Sequence, residues 1–147
     1  MHPYPHVYRA SAAGGSSGIV AVDSPALPGI QAAPPPEFDG PGGLWSPETL
    51  LCAAVANCYI LTFRAVSRAA KFDWQSLECR VEGTLERVGN QARFTRFATF
   101  ATLTVAAGAD AGRARALLER AEASCLVSNS LSGTRTLGTE VVEAPPA

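Results

Sequence analysis

Between residues 77 and 86 apolar and polar positions alternate. Leu77, Cys79, Val81 and Leu85 fall on one side, and Glu78, Arg80, Glu82 and Glu86 on the other. That period of two predicts a strand with one face on a core and one in water. Gly89 and Asn90 then supply a hairpin turn into "RFTRFATFATLTV", a long run of Phe, Thr and Val suited to a second strand. The pattern upstream is different. Residues 46–63, "SPETLLCAAVANCYILTF", are apolar almost all the way round a helix, interrupted by Asn57. Ser46, Pro47 and Glu48 mark its start: a capping hydroxyl, a proline in the first turn and a carboxylate near the positive end. The helix is predicted to reach about Lys71 and, being apolar on every side, to be buried on all sides.

Downstream, Asp110 can cap a second helix, "AGRARALLERAEAS", with Leu117, Leu118 and Ala121 as its apolar stripe. After Ser124 a short helical turn, "CLVSNSL", is expected to start afresh, and "TRTLGTEVVEA" closes as a strand. In the first 45 residues "HVYRASA" and "GIVAVD" read as short strands joined by "GGSSG". "PGIQAAPPPEFDGPGG" reads as one more short strand followed by a proline-rich loop. The order is three strands, a buried helix, a hairpin, a helix and a strand. It predicts an α+β fold with antiparallel sheets packed around a long central helix.

At 147 residues the chain is expected to be one domain, residues 1–147, large enough to bury a substantial core. Its net charge of -1 leaves no basic stripe for nucleic acid; Arg64, Arg68, Arg80, Arg93 and Arg96 are scattered as on a solvated surface. The opening "MHPYPHVYRA" lacks the apolar core of a signal peptide. The apolar run from Leu50 to Phe63 is shorter than the roughly 20 residues that span a bilayer, so no membrane partner is expected. The compartment expected by default is the cytoplasm, where structural disulfides are rare. Four cysteines there invite a metal or redox reading.

The cysteines are not equivalent. Cys79 shares the inward face of its strand with leucine and valine, and Cys52 sits among alanines; both read as small buried hydrophobes. A Cys52–Cys58 bridge along one helix is poor, because six residues rise about 9 Å while a disulfide needs Cα atoms within roughly 7 Å. The spacing contains no CxxC pair, and His2 and His6 lie near the terminus, so neither a zinc site nor any other cofactor is expected. Cys125 is predicted in the first turn of a helix capped by Ser124, where free N–H groups and the dipole favour a thiolate. A small residue at a tight helix junction explains it equally well, and Cys58 alone is as ambiguous.

From Pro36 to Leu131 the chain resembles the family of osmotically inducible protein C (OsmC) and the organic hydroperoxide resistance proteins (Ohr). Three pieces carry the likeness in order: "FDGPGGLWSPETLL", "AAVANCYILTF" and "AEASCLVSNSL". The resemblance implies an α+β fold, an intertwined homodimer and active sites at the subunit interface. It makes Cys58 the thiol that attacks a hydroperoxide, Cys125 the resolving thiol, and Glu48 a glutamate near the site. Glu48 and Cys58 are ten residues apart, about 15 Å of helical rise, so they cannot touch within one helix. A shared site would bring Glu48 of one subunit to Cys58 of the other.

The implied reaction is that of a thiol peroxidase: an organic hydroperoxide oxidises Cys58 to a sulfenic acid, Cys125 condenses with it to a disulfide, and an external thiol or dithiol reduces the pair. Apolar neighbours (Leu51, Val55, Leu61, Trp45, Phe38) suit an organic hydroperoxide but raise a thiol pKa, so a positive partner or several hydrogen bonds are needed. The hydroperoxide-resistance branch carries an arginine after an early Gly-Gly, where this chain has Ser16 and Ser17. That departure points to the broader OsmC-like branch and makes Arg9 the nearest substitute, held by Glu48, with Arg93 and Arg96 as further candidates. The alternative is a thiol redox sensor or small-molecule binding protein on the same fold. An interaction dimer using Trp45 and Trp74 has no specific support in the sequence.

Overall fold

The structure is a computed structural model in which residues 1–146 are described. The chain divides into two compact units, Met1–Leu50 and the remainder from Leu51.

In the first unit β1 (Ser11–Ala13), β2 (Val20–Asp23) and β3 (Ile30–Ala32) form an antiparallel meander. β1 is shorter than the strand expected over "HVYRASA". Continuing its register would bring Arg9 opposite Pro25, which has no N–H to give. A 3-10 turn, Pro36–Phe38, follows, and the Ala33 N–H donates to the Trp45 carbonyl at 2.9 Å. Gly40 is obligatory in this loop, because a Cβ there would lie 1.6 Å from the Pro34 carbonyl oxygen.

α1 (Pro47–Ala69) begins as expected. The Thr49 N–H donates to Ser46 Oγ at 3.1 Å, and the Ser46 N–H donates back to Thr49 Oγ1 at 2.9 Å, a reciprocal cap with threonine in the role usually filled by Glu or Gln. The helix ends at a left-handed Lys71. The Phe72 N–H reaches the Ser67 carbonyl and the Lys71 N–H that of Arg68, the paired bonds of a Schellman motif.

Burial of α1 on all sides is not met within one chain. Only Val55, Tyr59, Phe63 and Ser67, spaced by four, are buried, and Leu61 is 51% exposed. The reason is geometric, since one sheet and one neighbouring helix cover a single stripe of a cylinder. With 23 residues the helix is also longer than its apolar run, and by length and composition alone it could cross a bilayer. Its Tyr59 and Phe63 are instead completely buried in a protein core.

That core belongs to the second unit. β4 (Ser76–Val88) and β5 (Gln91–Val105) make the antiparallel hairpin, with Leu77 opposite Leu103 and Cys79 opposite Ala101. α2 (Ala111–Ser124) follows, capped by Asp110 Oδ1 accepting from the Arg113 N–H at 2.9 Å. β6 (Thr134–Glu143) then runs parallel to β5. The expectation of purely antiparallel sheets is therefore corrected for this sheet, whose order is β4-β5-β6. α2 carries the chain back across the sheet, so β6 re-enters in the direction of β5.

Tyr59 and Phe63 pack with Leu77, Leu103, Val105, Ala114, Leu117 and Leu118. Each large side chain among them contributes roughly 1.5–3 kcal/mol by burial. The Tyr59 hydroxyl donates to the Leu118 carbonyl at 3.0 Å, tying α1 to α2 beside Cys58. Leu137 and Val141 of β6 pack on this core, and Arg135, two residues before Leu137, faces the same way.

Candidate active site

Cys58 lies on the face of α1 that the core leaves open. With Ala54, Leu61 and Ala65 it floors a groove of about 750 Å³, walled by Leu126 and Val127 and bordered by Arg120. Asn57 lines the same groove, so the polar residue before Cys58 faces outward rather than into the core. The Thr62 hydroxyl donates to the Cys58 carbonyl at 2.7 Å and lies 3.8 Å from Cys58 Sγ.

Cys125 is fully buried beside it, but not in the first turn of a helix as the sequence predicted. Ser124 is the last residue of α2 and Cys125 is its C-cap, with extended φ and ψ of -66° and 107°. The next helical turn, a 3-10 turn, is Ser128–Ser130. Cys125 therefore sits at the negative end of a dipole, which opposes a thiolate. Its pKa is raised, first by burial and further by the neighbouring Cys58, against hydrogen bonds from Ser128.

Cys58 behaves in the opposite way. Burial works to raise its pKa, yet the backbone N–H of Val127, the Cys125 thiol and the Leu126 N–H, with the Thr62 hydroxyl dipole close by, together outweigh it, and the pKa is lowered from 9.0. Hydrogen-bond donors thus provide the compensation that an apolar site demands. The sequence called for a cation or several hydrogen bonds but did not point to these amides, because nothing in the side chains of Leu126 and Val127 announces where their backbone N–H groups point. Arg120 was missed as well; only the packing of α2 brings it to the groove.

All four cysteines are free thiols. Cys52 packs where β4 has a glycine, and a Cβ at Gly83 would come within 2.8 Å of its sulfur. Cys79 packs against the core, and burial, with the charges of Glu122 and Cys125, pushes its pKa up to about 12. Among the described residues no cluster of His, Cys, Asp and Glu could hold a metal ion.

Glu48 borders an apolar pocket with Val20, Val22 and Phe38, and its Oε2 is buried without a hydrogen-bond partner. Arg9 is exposed, and its main-chain carbonyl accepts from Ser24 Oγ at 2.8 Å. Among the described residues the ion pairs are Arg80–Glu82 and Arg135–Glu122, so Arg9 and Glu48 are not joined within the chain. Arg93 and Arg96 are exposed on β5.

A model of the OsmC-like protein family matches residues 40–140. The chain belongs to the OsmC-like family. This OsmC-like chain is 28% identical over 109 residues to the Bacillus subtilis protein YmaD, described as uncharacterized, covering 72% of this chain and 73% of the relative. A crystal structure of a Legionella pneumophila organic hydroperoxide resistance protein OsmC is similar at a TM-score of 0.75 and 26% identity, covering 95% of this chain and 99% of the other. An OsmC-like protein of unknown function from Vibrio cholerae superposes at a TM-score of 0.81 with 15% identity, covering 94% and 100%. The last likeness establishes the fold alone.

Proposed function

We propose that this OsmC-like protein is a thiol peroxidase that reduces organic hydroperoxides. The observation that carries the reading is one thiol pair in two settings: Cys58 opens on the groove with its pKa lowered, and Cys125 lies fully buried beside it with its pKa raised. Family membership and the similar Legionella protein named for organic hydroperoxide resistance support a role in peroxide redox chemistry.

In this reading the Cys58 thiolate attacks the terminal oxygen of a hydroperoxide. The O–O bond breaks, the alkoxide takes a proton from water and leaves as the alcohol, and Cys58 becomes a sulfenic acid. The Cys125 sulfur then attacks Cys58, expelling water and closing a disulfide. An external thiol or dithiol supplies the two electrons that restore both thiols. The groove floored by Ala54, Leu61 and Ala65 suits an apolar peroxide. No metal or cofactor takes part.

The same reading makes the protein a homodimer. The open stripe of α1 is apolar, and a second copy covering it would complete the burial that one chain leaves unfinished. In such a dimer the unpartnered Glu48 carboxylate would accept from the Arg9 guanidinium, orienting it toward the peroxide. One observation favours the second reading, a thiol redox sensor or small-molecule binding protein: Arg9 is not engaged with Glu48 within the chain. Thiol counting decides between them. One equivalent of an organic hydroperoxide should reduce the four free thiols to two within seconds, with a Cys58–Cys125 bridge in the mass spectrum. A count that stays at four, or a Cys58–Cys79 bridge, overturns the peroxidase assignment.

A further inference from the structure

Leu126 and Val127, which line the groove with Cys58 and whose main-chain N–H groups lower its pKa, lie in a segment with no regular structure of its own, between the end of α2 and the turn Ser128–Ser130. One side chain spans it. Arg135, near the start of β6, donates from Nε to Glu122 Oε1 at 2.8 Å, from Nη1 to Asn129 Oδ1 at 2.6 Å, and from Nη2 to the Glu122 main-chain carbonyl. A single guanidinium therefore grips a residue three before Cys125 and a residue two after Val127. Asn129 closes the loop from within, donating from Nδ2 to the Ala123 carbonyl at 3.2 Å and from its N–H to the Cys125 carbonyl at 2.9 Å. Arg135 is itself anchored by the parallel pairing of β6 with β5, opposite the buried Phe97.

We propose that Arg135 is a positioning residue for Cys58: through Glu122 and Asn129 it holds residues 123–129 in the one arrangement that aims the Leu126 and Val127 N–H groups at the Cys58 sulfur. The inference rests on Cys58 being the reactive thiol. The chemistry calls for arginine. Three acceptors in different directions match the planar fork of a guanidinium, whereas a lysine ammonium is a point charge on a flexible stem. Without the clamp, the amides are free to turn to water, and the Cys58 thiol loses the main-chain donors that oppose its burial. The titratable and charged groups around the pair are few. Cys125 faces Cys58 from the loop and Arg120 borders the groove from α2; behind Cys125 lie Tyr59 of α1, Cys79 of β4 and Glu122 of α2. Arg135 touches none of the reacting atoms, so its effect passes through the loop.

The test is the pH dependence of iodoacetamide alkylation at Cys58, read by mass spectrometry of its peptide, in the full chain without peroxide. Arg135→Ala should raise the midpoint by about one unit, which is roughly a tenfold slower alkylation at neutral pH. Arg135→Lys should recover only part of that. Asn129→Ala, at an exposed residue, should shift the midpoint the same way by less and guards against a folding defect in the first variant. Cys125 and Cys79 should stay slow to alkylate, which separates a redirected loop from an opened core. Unchanged midpoints in Arg135→Ala and Asn129→Ala overturn the proposal. A wild-type midpoint at or above 9.0 overturns it together with the activation of Cys58, whereas a lowered midpoint without peroxide turnover removes only the peroxidase reading.

Discussion

Cys58 and the buried Cys125 are neighbours whose pKa values are shifted in opposite directions, Cys58 toward the thiolate and Cys125 toward the thiol. Each shift reinforces the other, because a proton kept on Cys125 is a proton available to the Cys58 sulfur. The pair is therefore polarised before any oxidant arrives, with Cys58 on the open groove and Cys125 in the core.

Removing either thiol should have distinct consequences. Cys58→Ser is expected to abolish hydroperoxide consumption in a coupled assay. Cys125→Ser should consume about two equivalents and then stall, the first giving the Cys58 sulfenic acid and the second, with nothing to resolve it, the sulfinic acid seen in the mass spectrum. Cys52→Ser and Cys79→Ala should turn over as wild type, at a stability cost of about 1 kcal/mol. Wild-type turnover in Cys58→Ser would remove the assignment.

The raised thiol of Cys79 predicts alkaline weakness. A group whose folded pKa lies above its unfolded value contributes stability below the unfolded value and loses it as pH rises through the folded one. For Cys79 that window runs from 9.0 to about 12. Chemical denaturation should show stability falling across this window, and falling less steeply in Cys79→Ala. An identical slope in the two proteins would mean that Cys79 ionises freely in the fold.

Arg9 separates orientation of the peroxide from activation of the thiol. The donors that lower the Cys58 pKa are backbone amides and neighbouring hydroxyl and thiol groups. Arg9→Ala should therefore leave the alkylation midpoint of Cys58 in place while slowing hydroperoxide consumption about 10- to 100-fold, the scale of a lost charge-assisted hydrogen bond. A midpoint that rises with Arg9→Ala would make the guanidinium a direct charge partner of the sulfur.

The uncovered stripe of α1 predicts association. Light scattering at low micromolar concentration should report twice the mass of the chain. Leu61→Glu, a charge placed at a half-exposed position of that stripe, should shift the distribution toward monomer. A monomeric wild type would remove both the dimer and the shared site.

Much of the molecule is determined by local rules that act on neighbours in sequence. Ser46 and Asp110 cap their helices because a hydroxyl or carboxylate needs only the next three residues to find its N–H. The alternation from Leu77 places the inward face of β4 because the pleat has a fixed period. Tertiary structure decided what depends on return paths. β6 is parallel because α2 carries the chain back, and Cys125 ends a helix rather than opening one, with Glu122 before it and Asn129 after it both bonded to Arg135, ten residues further on. The acidity of Cys58 belongs to the same class. Its largest lowering cause is the main-chain N–H of Val127, and the direction of such a group is a property of backbone angles and of what holds them, which no side-chain pattern encodes.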